Sequence, residues 1–369
     1  MPLDAALPEP LWRCPVCRGP LAERTDSLDC GACSRSFEVI GGIPDFRLSI
    51  PSWIDAAEDL KTAHELADAA LPLKELVTEV YARREGWDAD RVARRTREVL
   101  SGSSLLRDDL RGWLKPIVRS GPFLDLGCGG GMLMAAASEL APGRPVIGID
   151  VSMTWLVVAK KLVSESGGKP MLAAGMAEAL PLGNDSIPAV VSLDVIEHVH
   201  DPDTYLSEVD RVLQPGGRAA FSTPNRFSLT AEPHVFVWGV GWLPRPLQAS
   251  YVRWRSGKSY SDTVLMSSFR LAQRLRRSTH LNFNILVPSI PEAHIAYFSR
   301  TKGRIARYFN AMSQSALLRP IFLLISPFFR VTGTKLRQDA PHHFVLSNQV
   351  RAATGLGSLA QATQWGMNW

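Results

Sequence analysis

Short apolar runs alternate with amphipathic segments through the middle of the chain. The apolar runs predict strands at 122–127, 145–150, 170–175, 188–194 and 217–223, and a helical pattern follows each of them except the last. This alternation is typical of a parallel sheet with right-handed crossovers. A further helix at 266–277 and two more strands, at 283–287 and 343–347, complete a predicted seven-stranded α/β fold.

Glycines follow the first of these apolar runs directly. The stretch GPFLDLGCGGG, residues 121–131, passes from a strand into a turn and then into a small-residue helix pattern at 132–140. Glycine is needed where a ligand lies directly on the backbone at the carboxyl end of a strand. About 20 residues further on, Asp150 ends the second strand, where a carboxylate can accept hydrogen bonds from the two hydroxyls of a ribose.

The segments before this core show two other patterns. Two C-x-x-C knuckles near the N-terminus predict a closed, structural tetrahedral zinc site, and they are formed by Cys14, Cys17, Cys30 and Cys33. Apolar residues that recur among charged ones after Pro51 predict helices. We therefore expect a zinc ribbon at 1–47, a helical linker or lid at 48–120, the α/β domain at 121–348 and a tail at 349–369.

Composition agrees with a globular chain of about two domains. The chain has 369 residues, of which 46% are hydrophobic and 21% charged. No apolar run reaches the roughly 18–20 residues that span a bilayer. The N-terminal segment lacks the basic start and apolar core of a secretory signal. A cytoplasmic protein is expected, with a peripheral position at the inner membrane face as the alternative.

Positive charge is concentrated in the C-terminal third. Between Pro233 and Gln338 the only acidic residues are Asp262 and Glu292, although the net charge of the whole chain is only +5. Basic residues alternate with apolar ones from 300 to 337, which predicts either peripheral membrane contact or a buried helix with a solvated basic face.

Residues 178–225 carry a series of further motifs. "ALP" at 179–181, "EHV" after the fourth strand and "PGG" at 215–217 follow the glycine turn and Asp150 in order. In this the chain resembles the class I S-adenosylmethionine-dependent methyltransferases, in particular the methyltransferase type 11 and quinone-pathway O-methyltransferases. The resemblance implies a Rossmann-like seven-stranded methyltransferase sheet and S-adenosylmethionine as cofactor. The residues that it implies for cofactor binding are Asp125, Gly127, Cys128, Gly129, Gly131, Asp150, Val151, Met176, Ala177 and Asp194.

Two positions depart from the family pattern. Many relatives have aspartate where this chain has Met176, and others have aspartate where Pro188 stands. The contact to the adenine amino group must then come from the backbone or be absent.

Asp194, Glu197 and His198 are the candidate catalytic residues. If they begin a helix, their i, i+3 and i+4 spacing points all three side chains in one direction. In the resembling quinone-pathway enzymes an equivalent group gathers a divalent cation, so Mg²⁺ is one interpretation. The alternative is a cap and packing element without metal. His198 as general base is the preferred catalytic prediction, with His200 and His234 as further candidates.

The acceptor is expected to contact inserted segments at about 226–265 and 291–340. We expect O-methylation of a small, hydrophobic or lipid-linked acceptor. A zinc ribbon before such a domain also resembles enzymes that methylate guanine in ribosomal RNA, although nucleic acid is the less favoured partner. A non-catalytic binding protein is the third alternative, and the sequence does not indicate an oligomeric state.

Overall fold

A computed structural model describes residues 7, 10–118, 121–290, 295, 299–315 and 317–336, apart from the side chains of 103–105. The predicted tail at 349–369 lies outside this range. Among the described helices, none is long and apolar enough to cross a bilayer.

The N-terminal ribbon is a four-stranded antiparallel sheet in chain order. Its strands are β1 (Leu21–Glu23), β2 (Ser27–Cys30), β3 (Arg35–Ile40) and β4 (Ile43–Pro44). Phe37 and Phe46 pack edge to face at 5.1 Å beneath the cysteines. The small core holds so few apolar side chains that a crosslinking metal would be needed to stabilise it.

Four helices follow the ribbon, where the sequence predicts a helical segment. They are α1 (Ala56–Asp68), α2 (Leu73–Ala82), α3 (Ala89–Arg111) and α4 (Lys115–Val118). The side chains of Asp55 and Asp88 cap α1 and α3 by accepting hydrogen bonds from backbone N–H groups. Tyr81, Trp87 and Trp113 pack within or against the main core.

The α/β domain contains a seven-stranded sheet. In chain order its strands are β5 (Phe123–Leu126), β6 (Pro145–Asp150), β7 (Lys169–Ala174), β8 (Ile187–Leu193), β9 (Leu213–Pro224), β12 (Leu281–Leu286) and β13 (Phe328–Lys335). Across the sheet the order is β12-β13-β9-β8-β5-β6-β7. The five strands from β5 to β9 pair in parallel, and β13 pairs antiparallel with both of its neighbours.

Helices cover both faces of this sheet. They are α5 (Met132–Leu140), α6 (Met153–Glu165), α7 (Pro202–Val212) and α9 (Ser268–Ser278). The first five strands and the helix at 266–277 lie within a few residues of the predicted positions, so the predicted α/β architecture is confirmed.

The last strand differs from the prediction. The sequence placed it at 343–347, which lies outside the described residues, whereas the structure forms β13 from a segment predicted to be part of an insertion at 291–340. Phe329 and Val331 are fully buried and alternate along β13, since one face of the strand packs into the core. Burial of this strand also removes its residues from the predicted membrane contact at 300–337.

Two segments extend beyond this core. The first, 226–265, contains a hairpin of β10 (Ala231–Glu232) and β11 (Val237–Trp238), followed by α8 (Arg245–Ser256). It has a small core of its own, formed by Val235, Val237, Val240, Val252 and Tyr260. The second contains α10 (Arg300–Ser313) and α11 (Arg319–Ile325).

Candidate functional site

A cavity of about 970 Å³ opens at the carboxyl ends of the parallel strands. Ligands bind at this edge of α/β sheets because the loops that follow the strands converge there. Seven of the predicted site residues line the cavity, and they are Gly127, Asp150, Val151, Met176, Ala177, Asp194 and His198. The structure thus brings the predicted cofactor and catalytic residues to one place.

The glycine turn shapes the floor of this cavity. Gly127 has a φ of +78°, and a Cβ atom there would lie 2.2 Å from Val195 Cγ2. Gly131 has a φ of +77° and lets α5 begin against α6, since a Cβ would lie 3.0 Å from Ala159 Cα. Both positions therefore require glycine, for backbone conformation and for close packing.

Asp150 is tied to the turn by its carboxylate. One carboxylate oxygen accepts a hydrogen bond from Gly129 N at 2.8 Å and the other accepts from Ser152 N at 2.9 Å. Burial raises the pKa of Asp150, and the hydrogen bonds from backbone N–H groups oppose that rise. The carboxylate is thus held at the cavity wall in a fixed orientation.

The other predicted cofactor residues lie behind the cavity wall. Asp125 is 4% exposed, and burial, with a smaller effect of the Asp150 charge, raises its pKa to about 8. Cys128 is also buried, and burial raises the pKa of its thiol. Direct contact of Asp125, Cys128, Gly129 and Gly131 with the methionine portion of the cofactor stays a prediction.

Part of the cavity wall comes from the chain that leaves the ribbon. Residues 49–53 line the cavity, yet no sequence motif marks them. The segment is held in place by Arg47, whose fully buried side chain binds Asp45, Asp59 and the carbonyl oxygen of Val151, the last at 2.9 Å. Phe46 N also donates to Ala174 O at the end of β7. The ribbon is therefore attached to the edge of the cavity.

The Asp194-to-His198 segment is a turn and not the start of a helix. Asp194 has a left-handed φ of +57°, which prevents a regular helix from beginning there. The expectation that all three side chains share one helix face is therefore wrong. Asp194 accepts from Ser222 Oγ at 2.8 Å, while fully buried Glu197 accepts from Thr223 Oγ1 at 3.0 Å. His198 and Asp194 line the cavity.

A second histidine approaches from the 226–265 segment. The rings of His198 and His234 pack edge to face, with centroids 4.7 Å apart. Glu232 orients His234 because its carboxylate accepts a hydrogen bond from Nδ1 at 2.5 Å. His200 also lines the cavity. His234 was only a further candidate because nothing in the sequence shows that the insertion folds back to this point.

Burial shifts the pKa values of Asp194, Glu197 and His198 toward the uncharged form of each group. The pKa of His198 falls to about 4, chiefly through burial and then through the neighbouring His234. Burial and then the charge of Asp194 raise the pKa of Glu197 well above its usual range. Burial raises the pKa of Asp194 to about 6, against the opposing effect of the hydrogen bond from Ser222.

The four N-terminal cysteines form a separate cluster. Their sulfur atoms all lie within 4.8 Å of one another, with Sγ–Sγ distances of 3.5 Å for Cys14–Cys33 and 3.4 Å for Cys17–Cys30. Four thiolates around one zinc ion are expected about 3.8 Å apart, given Zn–S bonds of about 2.3 Å. The donor set therefore fits a single tetrahedral zinc.

Known proteins resemble the central part of the chain. The family described as a methyltransferase domain matches residues 124–221. A ubiquinone biosynthesis O-methyltransferase of Cereibacter sphaeroides is 36% identical over 129 residues, and one of Brucella anthropi is 37% identical over 125. Each alignment covers 33% of this chain and 49% of the relative, so the chain spans about half the length of these curated relatives.

A solved structure gives a weaker similarity. A methyltransferase from Mesorhizobium loti, described as S-adenosylmethionine dependent, has a TM-score of 0.43 and 20% identity, covering 61% of this chain and 95% of its own. The family match covers β5 to β9, the glycine turn and the turn with Asp194. Residues 124–221 of this chain are therefore similar to methyltransferase domains.

Proposed function

We propose that this protein transfers a methyl group from S-adenosylmethionine to a hydroxyl of a hydrophobic acceptor. One observation supports the proposal above others. A single cavity is lined by Gly127 and Asp150 and also by His198 and the 226–265 segment. Donor and acceptor can therefore meet in one cavity. The ubiquinone enzymes that match the core are O-methyltransferases by name, which supports oxygen as the accepting atom.

Several residues fit the cofactor. Asp150 would accept hydrogen bonds from the ribose hydroxyls, and the backbone around Met176 and Ala177 would contact the adenine. When bound, S-adenosylmethionine supplies a methyl group already activated on a sulfonium sulfur. The protein's main task is then to align the acceptor with this methyl group and to exclude water.

His198 is proposed to take the proton from the acceptor hydroxyl. Its Nδ1 lies 3.4 Å from the carbonyl oxygen of Asp262. When Nδ1 carries the proton and donates it in a hydrogen bond to that carbonyl, Nε2 has a free lone pair. This lone pair would take the proton from the hydroxyl of the methyl acceptor. The pKa of about 4 leaves this imidazole unprotonated at physiological pH, so that it can accept a proton, and makes the free imidazole a weaker base than a solvated one. Glu232 and His234 would hold the ring of His198 from the opposite side.

Magnesium does not fit this cluster. Glu197, His198 and His234 each offer one ligand atom within 4.8 Å of the others. Two imidazoles and one carboxylate suit transition metals, whereas magnesium prefers oxygen ligands and retains several waters. We derive no catalytic step through Mg²⁺.

Zinc in the cysteine cluster is proposed to be structural, and its loss should weaken cofactor binding. We expect Cys14→Ser to reduce bound zinc and to lower the affinity for S-adenosylhomocysteine about tenfold or more. The reason is that the ribbon positions Arg47 and residues 49–53 at the cavity. Zinc per chain by elemental analysis and affinity by calorimetry are the measurements.

The matched control is Arg24→Ala, because Arg24 is an exposed residue of the same ribbon with a side chain 69% accessible. It should leave both zinc content and affinity unchanged. A Cys14→Ser protein that loses zinc but binds S-adenosylhomocysteine normally would show that the ribbon does not support the cavity.

Methyl transfer itself is tested with methyl-labelled S-adenosylmethionine and a lipid extract from the source cells. Label in an organic-extractable product, sensitive to loss of His198, is the expected result.

A further inference from the structure

Helix α10 presents its large apolar side chains to solvent. Its buried residues are the small ones, Gly303, Ala306 and Ser313. Ile305, Tyr308 and Met312 are 63%, 71% and 44% exposed and follow one another at steps of three and four residues. An ordinary surface helix has the opposite arrangement, with large apolar residues facing the core. This stripe therefore has no partner among the described residues of the chain.

The exposed apolar surface continues onto α11. Leu317 is 85% exposed just before the helix, and Ile321 and Leu324 are 53% and 46% exposed within it. No residue of α11 is buried. Phe309 and Phe322 pack together at 5.2 Å, which joins α10 to α11.

The 226–265 segment adjoins this surface. Leu229 N donates to Ile325 O at 3.3 Å, and Trp238 Nε1 donates to Leu229 O at 3.1 Å. Leu229, Trp238 and Trp254 are 54%, 62% and 75% exposed. We call the combined surface the amphipathic face, and it consists of Leu229, Trp238, Trp254, Ile305, Tyr308, Met312, Leu317, Ile321 and Leu324.

Basic residues lie beside parts of the amphipathic face. From Pro233 to Gln338 the sequence has sixteen lysines and arginines against two acidic residues. Arg304 and Arg307 are exposed beside the α10 stripe. In the 226–265 segment, Arg255 lies over the ring of Trp254 and Lys258 over that of Phe236. Apolar side chains flanked by cations match a membrane whose surface is anionic.

We propose that the amphipathic face docks onto an anionic phospholipid bilayer. This deepens the proposed function and rests on it, because the 226–265 segment carries part of the face and also lines the cavity through His234 and Arg245. A docked protein would have its acceptor cavity next to the bilayer. A hydrophobic or lipid-linked acceptor then reaches the cavity without crossing water.

Chemistry of the exposed side chains favours lipid over nucleic acid. Six of the nine residues are aliphatic or methionine, which cannot stack on bases, whereas single-stranded nucleic acid is bound through aromatic stacking on a basic groove. Aliphatic side chains with interfacial tryptophans are the composition of a membrane-surface element.

Vesicle co-sedimentation of the full chain tests this proposal. Vesicles of pure phosphatidylcholine are compared with vesicles that contain phosphatidylglycerol, in the absence of cofactor and acceptor. We expect binding to the anionic vesicles that weakens as salt rises, because salt screens the headgroup charge. The double variant Ile305→Gln and Met312→Gln should lower the partition coefficient about tenfold or more, since both side chains would enter the interface.

The control variant is Leu140→Gln. Leu140 is 39% exposed at the end of α5, outside the amphipathic face. Its substitution should leave vesicle binding unchanged. Equal binding to both vesicle types, no binding, or retained binding by the double variant would overturn the proposal. Displacement of the protein from vesicles by single-stranded RNA at equimolar charge would overturn it in favour of a nucleic-acid surface.

These experiments can refute the docking surface and the proposed methyl transfer independently of each other. Methyl transfer in detergent without vesicle binding would refute only the docking surface. Vesicle binding without any methyl transfer would refute the proposed function, while leaving a membrane-bound protein of another activity.

Discussion

Asp150→Ala is expected to lower the affinity for S-adenosylmethionine and S-adenosylhomocysteine at least about 100-fold. The Asp150 carboxylate holds Gly129 N and Ser152 N, and it is the proposed acceptor for the ribose hydroxyls. Hydrogen bonds to a charged group are each worth about 1.5–3 kcal/mol. Loss of two such hydrogen bonds between Asp150 and the cofactor is therefore enough to lower the affinity about 100-fold. Calorimetric titration with S-adenosylhomocysteine measures it.

Two further variants separate binding from folding. Asp150→Asn keeps the volume and one acceptor oxygen, so an intermediate affinity is expected. Asp68→Ala removes an exposed carboxylate at the end of α1 and should bind normally. Circular dichroism of Asp150→Ala should show the native helical signal. Unchanged affinity in a folded Asp150→Ala protein would place the ribose elsewhere.

Acid should weaken cofactor binding earlier than for an ordinary aspartate. Burial raises the pKa of Asp150, so its carboxylate takes up a proton at a higher pH than a solvated one would. The charged form, which accepts both backbone and ribose hydrogen bonds, is therefore lost progressively as pH falls through this raised pKa.

His198→Asn is expected to reduce kcat by about 10²–10⁴-fold, the usual contribution of a positioned general base. Affinity for S-adenosylhomocysteine should change little, because the His198 side chain is assigned to the acceptor and not to the cofactor. His64→Asn is the control, since His64 is a half-exposed residue of α1 near Glu38. Single-turnover transfer to the acceptor gives the chemical step directly.

The pH profile gives a second readout for His198. Its pKa is lowered to about 4, so the imidazole is already unprotonated above about pH 5. Single-turnover transfer at saturating cofactor, which depends on the neutral base, should therefore stay level from pH 8 down to about pH 5 and fall below that. An acidic limb centred near pH 6.5 that disappears in His198→Asn would contradict the buried, neutral imidazole. Full activity of His198→Asn would assign the proton transfer to another group.

Local sequence signals predicted that Gly127 and Asp150 meet at the strand ends. The glycine turn and Asp150 end consecutive apolar strands, and the carboxyl ends of parallel strands meet at one edge of a sheet. Their convergence in the cavity therefore follows from strand order alone. The cysteine cluster was predictable for a similar reason, because its spacing determines a four-sulfur site within a short segment.

Long-range packing explains what the sequence did not predict. Residues 49–53 follow Arg47, which binds Asp45, Asp59 and the carbonyl oxygen of Val151, and Val151 lies 104 residues further along the chain. His234 approaches His198 only because its insertion folds back over the strand ends. The position of β13 was missed because its alternating pattern directly follows the apolar residues of α11, and the two form one apolar run in the sequence.

The most direct test of the account is the destination of labelled methyl groups. Purified protein is incubated with methyl-labelled S-adenosylmethionine and a lysate of its source cells, which is then separated into lipid extract, small molecules, RNA and protein. We expect label in the lipid extract or in the hydrophobic small molecules. The Asp150→Ala protein should transfer no label to either fraction. Label in RNA would contradict the proposed acceptor, and absence of label from every fraction despite cofactor binding would contradict methyl transfer itself.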